Sequence, residues 1–360
     1  MNWNERLSLF IFIAITLALR AMPLFIHGAF VDSESQQYLS GIMQQLNGQV
    51  PSFGERLGSF YITTIPYMLT GGLLGLDGTI FLVHALLVLL ACLITYSLVL
   101  RMTNDKRSGI IAVALLTVMP TAIESQSFAN YVGDFFVSIL GMASLWFLLT
   151  YLKNKRISFL ALGCVIAYCA SQMWNGGDII FASLFAAFGV IWLSDRADSR
   201  YVLSSALVLS LLGYYLIYPH LSLYVGPDLS NVNVQLESHA FALNILTFAS
   251  QQNLLFGIRA YSFGIILAGI ALYLFPLLML VKKPTVDKEM LGVCAFLLIA
   301  LPVALTDARF ESFVVLPMAI LAGAGIKRIK IPHKLPIYTL LLVLMAILGI
   351  LEVWSVVTYF

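Results

Sequence analysis

The sequence predicts an all-α membrane protein, a polytopic bundle of about 11 transmembrane helices. Hydrophobic residues make up 60% of its 360 residues and charged residues only 11%, a composition far from that of an ordinary globular domain. Apolar runs long enough to cross a bilayer recur along the chain. Lysine and arginine collect in alternate connections between these runs, as in proteins that span a membrane many times.

The predicted spans follow from length, because a bilayer core of about 30 Å needs about 20 apolar residues in a helix. The first run lacks a small-residue cleavage site and contains Arg20 and Pro23, so we interpret it as a retained span rather than a signal peptide. The predicted spans are 7–27, 79–100, 108–123, 135–152, 157–174, 179–194, 201–218, 261–281, 289–305, 312–326 and 335–358.

Segment 59–76 is long enough for a further span, but one proline and two glycines interrupt it. The basic residues decide between the two topologies. If the amino terminus is cytoplasmic and 59–76 is a surface or re-entrant helix, 16 of the 20 lysines and arginines are cytoplasmic. We therefore predict that 59–76 does not cross the membrane.

The same topology places most acidic residues on the extracytoplasmic side, although they were not used to set it. Two outer connections are long, 28–78 and 219–260. We predict one transmembrane domain without a soluble domain, in the plasma membrane of a prokaryote, with its active face outside. The outer acidic residues are Asp32, Glu34, Glu55, Asp77, Glu124, Asp134, Asp178, Asp228, Glu237, Asp307 and Glu311.

Composition also excludes some classes of function. The net charge of +2 is small and the basic residues are scattered, which argues against a nucleic-acid partner. The four cysteines all fall inside apolar runs, where a thiol packs as a small hydrophobic group. Neither a disulfide framework nor a zinc-binding spacing is present.

The first polar island follows the first span directly and contains Asp32 and Glu34. Carboxylate oxygens of this kind suit Mg²⁺ or Mn²⁺. The alternative is structural: Asp32 or Ser33 caps a helix, and the acidic residues stabilise its start.

Two further islands lie on the same predicted side. Asp134 ends the polar stretch 120–134, and an acidic residue close to hydrocarbon generally has a partner or a function; the alternative is a cap on a helix that begins at Phe135. Glu237 and His239 lie in the long outer loop, where ordinary solvated side chains are the alternative.

The last islands carry an arginine and a tryptophan. Arg309 lies between two acidic residues in a predicted outer turn, and its guanidinium fork matches the oxygens of a phosphate or pyrophosphate. A local ion pair is the alternative. Trp174 precedes Asn-Gly-Gly-Asp, and an interfacial anchor is its structural explanation.

Taken in order, these islands resemble the catalytic subunit of oligosaccharyltransferase and its archaeal and bacterial single-subunit relatives, which belong to the GT-C class of glycosyltransferases. That family carries a motif such as Asp-Pro-Asp-Ser-Tyr-Tyr-His-Leu after its first span. The stretch from Asp32 to Leu39 fits it without gaps, with Glu34 on the metal-binding aspartate and Tyr38 among the following residues. Membrane-surface helices in this loop are a family feature, which agrees with the interpretation of 59–76.

The later motifs follow in the same order. Stretch 120–134 is similar to the family's Pro-x-x-x-Arg-Ser-x-x-Gly-x-x-Asp, with Asp134 one place late. Glu237 resembles the glutamate of the fifth external loop. The Ala-Arg-Phe around Arg309 is similar to the motif thought to hold the lipid phosphate, and the Trp-Asn-Gly-Gly that begins at Trp174 resembles the family's Trp-Gly-Gly.

Three departures accompany the resemblance. Phe135 or Phe136 stands where the family has its third metal ligand, and Glu34 replaces an aspartate. No part of the sequence matches the soluble domain with the Trp-Trp-Asp-Tyr-Gly acceptor motif. Recognition of the acceptor would then require a separate subunit.

The resemblance implies an inverting glycosyltransferase that takes a sugar or glycan from a polyprenyl-phosphate or -pyrophosphate donor, which enters from the membrane lipids. The rival hypotheses are a transporter or flippase of lipid-linked glycans and a non-catalytic scaffold that binds them. Transporters tend to have repeated halves and ionisable groups near the midplane, and neither pattern occurs in the sequence. The expected catalytic residues are Asp32, Glu34, Asp134 and Glu237. The first three would hold Mg²⁺ or Mn²⁺ or polarise the acceptor. The expected substrate-binding residues are Arg309, Trp174, Tyr38 and His239.

Overall fold

The computed structural model describes residues 3–27, 33–49, 58–118, 128, 133–174, 177, 179–194, 287–306 and 312–328. All regular structure within these ranges is α-helical, which confirms the predicted class for this part of the chain. The helices are α1 (Trp3–His27), α2 (Ser33–Leu46), α3 (Gly58–Leu69), α4 (Gly75–Thr103), α5 (Lys106–Val118), α6 (Gly133–Asn154), α7 (Ile157–Ser171), α8 (Ile179–Ser194), α9 (Lys288–Thr306) and α10 (Ser312–Arg328).

The helices form one bundle with α6 near its centre. α1 packs on α4 and α5, α4 packs on α6 and α10, and α9 packs on α8 and α10. In the most apolar part of α6, 83% of the residues are buried inside the bundle, against 28% in α1. α1 therefore lies at the periphery, where its apolar side chains face the surroundings, as expected of a helix in lipid.

Neighbouring helices run in opposite directions where a short turn joins them. α4 ends at Thr103 and is capped by Asn104, whose φ of 50° closes the helix and whose N–H donates to the carbonyl of Leu100. The carboxylate of Asp105 then accepts hydrogen bonds from the Arg107 N–H (3.2 Å) and the Ser108 hydroxyl (2.7 Å). These bonds satisfy donors at the start of α5, so two residues suffice to reverse the chain.

Among the described residues, three helices are long and apolar enough to cross a membrane: α1, α4 and α6. α7, α8 and α10 contain shorter apolar segments. The predicted spans at 201–218, 261–281 and 335–358 lie outside the described residues, so the total of 11 stays a prediction.

Segment 59–76 does not form a spanning helix, as predicted. α3 covers 12 residues, or about 18 Å, which is shorter than a bilayer core of about 30 Å. A turn of five residues follows, and Gly71, Gly72 and Gly75 adopt positive φ values there or at the start of α4. Glycine tolerates this conformation without a steric penalty, so the chain turns from α3 directly into α4.

Apart from Arg20, which is buried in α1, the described basic residues collect at one end of the bundle, which we call the basic end. Lys106 lies 4.0 Å from Glu5 at the start of α1. Arg101 and Lys153, from the ends of α4 and α6, both interact electrostatically with Glu289 at the start of α9. The starts of α6 and α10 and the end of α7 therefore lie at the opposite end. That the basic end faces the cytoplasm stays a prediction from sequence.

Candidate functional site

Residues from α2, α6 and α10 meet at the end of the bundle opposite the basic end. The N–H of Gly133, the first residue of α6, donates to the phenolic oxygen of Tyr38 on α2 at 3.3 Å. The hydroxyl of Ser312, the first residue of α10, donates to the main-chain oxygen of Asp134 at 3.4 Å. Hydrogen bonds from two separate helices thus hold the backbone around Asp134.

The end of α7 completes this meeting point, which we call the Gly133 junction. Trp174 is 4% exposed, and its ring centroid lies 6.3 Å from that of Phe313 on α10. A Cβ atom at position 133 would lie 2.5 Å from the main-chain oxygen of Met173 and 2.9 Å from the Cβ of Trp174. Only glycine allows the backbones of α6 and α7 to approach so closely. The junction consists of Tyr38, Gly133, Asp134, Met173, Trp174, Ser312 and Phe313.

Three of the eight residues predicted for the site, Tyr38, Asp134 and Trp174, lie together at the junction. α6 begins at Gly133, so Asp134 lies in its first turn and does not cap a helix that begins at Phe135. That structural alternative was wrong, because the helix starts two residues earlier. Trp174 is buried, so the interfacial anchor was also the wrong explanation for it. The catalytic and binding roles of the three residues stay predictions.

The other predicted residues are only partly located. Glu34 lies in the first turn of α2, four residues before Tyr38. Asp32 immediately precedes the first residue of α2, so its role as a helix cap stays open. Their side chains lie outside the described part of the chain, as do Glu237, His239 and Arg309, which were predicted for catalysis or substrate binding.

Phe135 and Phe136, one of which was predicted to stand at the family's third metal-ligand position, are fully buried packing residues. Both rings lie against His84 of α4: the centroid of Phe135 is 5.0 Å from the imidazole in a stacked arrangement, and that of Phe136 is 5.5 Å away. The ring of Phe128 lies 5.3 Å away from the imidazole. Because the Ile80 carbonyl only accepts, the imidazole donates its Nδ1 hydrogen to it at 2.9 Å.

His84 was not among the predicted site residues, although the sequence contains a feature that could have indicated it. The residue lies within the apolar run 79–100, and an ionisable side chain inside a span normally faces the interior of the bundle. Its position five residues after the start of that run places it in the half of α4 near the Gly133 junction. The aromatic rings around it hold the start of α6 against α4.

Arg20 is a second buried polar residue near the junction. Its guanidinium donates to the carbonyls of Leu116 (2.8 Å) and Thr117 (3.5 Å), which are in the last turn of α5, and to that of Thr16 (3.3 Å). Its own carbonyl accepts the N–H of Phe128 at 2.9 Å. A cation at the carboxyl end of a helix satisfies unpaired carbonyls and opposes the helix dipole. Arg20 therefore joins α1, α5 and the connection that leads to α6.

The junction supplies one described carboxylate, that of Asp134. Within the described ranges, no group of three or more histidine, cysteine, aspartate and glutamate side chains is placed to hold a metal ion. The two other predicted ligands, Asp32 and Glu34, have side chains outside those ranges. The divalent cation stays a prediction.

The fold is similar to that of membrane glycosyltransferases of the GT-C class. AglB, the oligosaccharyltransferase of Archaeoglobus fulgidus, was solved in complex with an inhibitory peptide and a dolichol-phosphate; the match has a TM-score of 0.60 at 12% identity and covers 99% of this chain and 55% of that one. The Archaeoglobus fulgidus enzyme in complex with Zn and sulfate gives 0.61 at 13% identity, over 97% and 52% of the two chains. ArnT from Cupriavidus metallidurans, bound to undecaprenyl phosphate, gives 0.59 at 15%, over 89% and 60%.

These matches confirm the predicted resemblance as a likeness of fold. No protein-family model matches the sequence, and no curated protein matches it. The chain spans about half the length of the solved structures to which it is similar.

Proposed function

We propose that this protein is an integral membrane glycosyltransferase of the GT-C type, which transfers a sugar or glycan from a polyprenyl-phosphate or -pyrophosphate donor to an acceptor on the extracytoplasmic face. The Gly133 junction carries the proposal. There, three residues that the family motifs single out, Tyr38, Asp134 and Trp174, come from distant parts of the sequence to one end of the bundle. The fold supports it as well, since AglB was solved with dolichol-phosphate and ArnT with undecaprenyl phosphate.

Asp134 is the central residue of the proposed mechanism. Its backbone is held on one side through Gly133 and Tyr38 and on the other by Ser312. The carboxylate is thus attached to a rigid support, which favours catalysis because a positioned base needs no reorganisation during the reaction. The first turn of α6 also favours a negative charge there, because the helix dipole is positive at its amino end.

The proposed reaction is a direct displacement that inverts the anomeric carbon. An acceptor hydroxyl or amide attacks that carbon while the bond to the phosphate oxygen breaks, and Asp134 takes the proton of the acceptor. Arg309 stabilises the negative charge of the departing phosphate. A bound divalent cation would supply further positive charge and would be held by Asp134 with Asp32 and Glu34. The remaining proposed residues are Glu237, which closes the outer loop over the site, and the substrate-binding residues Tyr38, Trp174 and His239.

The test uses the full chain in lipid nanodiscs with radiolabelled hexose linked to undecaprenyl phosphate or pyrophosphate, and membranes of the expressing cells as acceptor. We expect Asp134→Asn to lower transfer by about 10² to 10⁴-fold, as for the loss of a positioned base. The control is Asp105→Asn, which removes a carboxylate at the basic end and should leave transfer unchanged. Equal transfer by Asp134→Asn and the unaltered protein would remove Asp134 from the mechanism.

The same preparation separates the enzyme from a scaffold that binds lipid-linked glycans. An enzyme consumes the labelled donor, and the label appears in the acceptor fraction. A scaffold stabilises the protein against heat when the donor is added, but leaves the donor intact. Donor binding without any turnover in the unaltered protein would contradict the proposal.

A further inference from the structure

A groove runs between α3 and α7 beside the Gly133 junction. It is open to the surroundings and has a volume of about 400 Å³, within the range of about 300 to 1,000 Å³ that is usual for ligand pockets. The α3 wall is formed by one face of the helix, since its members follow the spacing i, i+3, i+4, i+7 and i+8. The lining residues of α3 are Gly58, Tyr61, Ile62, Ile65 and Pro66, and those near the end of α7 are Tyr168, Cys169, Gln172 and Met173.

α3 and the end of α7 meet at Gly58 and Gln172. The N–H of Gly58 donates to the main-chain oxygen of Gln172 at 3.0 Å, and a Cβ atom on Gly58 would collide with that oxygen. Tyr61 (46% exposed) and Ile65 (51%) on α3 face Tyr168 (42%) on α7 without closing the gap. The groove is therefore closed at Gly58 and open along its side.

The lining favours a hydrocarbon chain over water, a sugar or a peptide. Its exposed surface is almost entirely apolar, so water or a sugar inside it would find few hydrogen-bond partners. The exposed face of α7 near the groove continues with Leu162 and Val165, which are also apolar and suited to lipid. A chain that leaves the bilayer sideways can enter without crossing a polar surface.

The position of the groove indicates which lipid binds in it. Met173 lines the groove, and its main-chain oxygen lies against Gly133. The next residue, Trp174, belongs to the junction. A lipid chain in the groove would thus end beside the junction that contains Asp134. We infer that the α3–α7 groove holds the isoprenoid chain of the polyprenyl-phosphate donor, which reaches the junction from the side of α3. The inference rests on the proposed function.

The native thiol of Cys169 allows a direct test. It is partly exposed in the groove, whereas Cys92 and Cys164 are buried and Cys294 is partly exposed on α9, away from the groove. One variant keeps only Cys169 and a matched variant keeps only Cys294, with the other cysteines changed to alanine. Both are placed in phosphatidylcholine nanodiscs and treated with N-ethylmaleimide, with and without undecaprenyl phosphate.

We expect undecaprenyl phosphate at ten times its Kd to slow the modification of Cys169 about tenfold, because mass action leaves roughly one site in ten free. The modification of Cys294 should not change. Thermal denaturation with the same lipid shows separately whether the protein binds the donor lipid at all. If the lipid stabilises the protein but does not protect Cys169, the groove is not its site, although the proposed function is unaffected. If it neither stabilises nor protects, both proposals are wrong.

A second arm tests whether the groove is only a general lipid contact. Phosphatidic acid carries a phosphate on two acyl chains, and equal protection of Cys169 by this lipid would overturn the assignment to the isoprenoid donor. Ile62→Trp places a large ring in the groove. It should weaken the binding of undecaprenyl phosphate at least tenfold and leave the binding of the short geranyl phosphate nearly unchanged. The control, Leu73→Trp, adds the same ring at a site that is 91% exposed, away from the groove.

Discussion

Replacing Gly133 by alanine tests how rigid the junction is. The added Cβ atom would lie 2.5 Å from the Met173 oxygen and 2.9 Å from the Cβ of Trp174. Neither neighbour is the free end of a flexible side chain, so the backbones must move. An ordinary contact begins at 3.4 Å, so the start of α6 must retreat from the end of α7 by 3.4 minus 2.5, or about 0.9 Å.

This shift has two measurable consequences. Overpacking of a tight contact typically costs about 1 to 3 kcal/mol, so Gly133→Ala should lower the midpoint of thermal unfolding in detergent. Asp134 is the next residue and moves with the helix start. A displacement of about 1 Å in a catalytic group lowers the rate about 10²-fold, and we expect a loss of that order in sugar transfer.

The matched control is Gly189→Ala in the interior of α8. A Cβ atom at Gly189 would meet nothing within 4 Å, and alanine is a better helix former than glycine by about 1 kcal/mol. This variant should unfold at the same or a higher temperature and keep full transfer activity. If Gly133→Ala matched Gly189→Ala in both assays, the close approach of α6 and α7 would not constrain the site, and the proposed rigidity of Asp134 would be wrong.

Two further predictions concern the polar contacts of the bundle. Arg20→Met should destabilise the protein by about 1.5 to 3 kcal/mol for each charged hydrogen bond lost, because carbonyls at the end of α5 remain buried without this donor. Arg20→Lys should restore part of the lost stability. Chemical denaturation of both variants in detergent measures the difference in their free energies of unfolding. Trp146→Phe removes the 2.9 Å bond from its indole nitrogen to Ser97 and weakens the contact with the Arg101 guanidinium, 4.6 Å from the ring. We expect a loss of about 1 to 2 kcal/mol with unchanged sugar transfer, since this contact lies at the basic end; a parallel loss of transfer would mean that the two ends of the bundle are coupled.

Much of the helical architecture could be predicted because it depends on local properties of the sequence. The first predicted span, 7–27, coincides with most of α1, and 79–100 lies within α4. The short α3 followed from its interrupting proline and glycines together with the charge count. A helix in lipid must satisfy its own backbone hydrogen bonds, so the length and apolarity of a run nearly suffice to define it.

The candidate site was only partly predictable. Family motifs singled out Tyr38, Asp134 and Trp174, which lie together at the junction. The predicted start of α6, at Phe135, was wrong, because glycine at position 133 is not a typical first residue of a helix. Trp174 was explained as an interfacial anchor. Whether a tryptophan near a helix end faces a membrane interface or the interior depends on which helices surround it, and here α6 and α10 cover it.

The sequence by itself determined which segments are helical and apolar, where the basic residues lie, and which polar islands interrupt the apolar runs, because each of these is decided by neighbours along the chain. Only the tertiary structure decided that a glycine must stand between α6 and α7, that Arg20 binds the end of α5, that aromatic rings surround His84, and that α3 leaves a groove beside α7. These contacts join residues far apart in the sequence, and the packing of large side chains around the few close backbone approaches selects them.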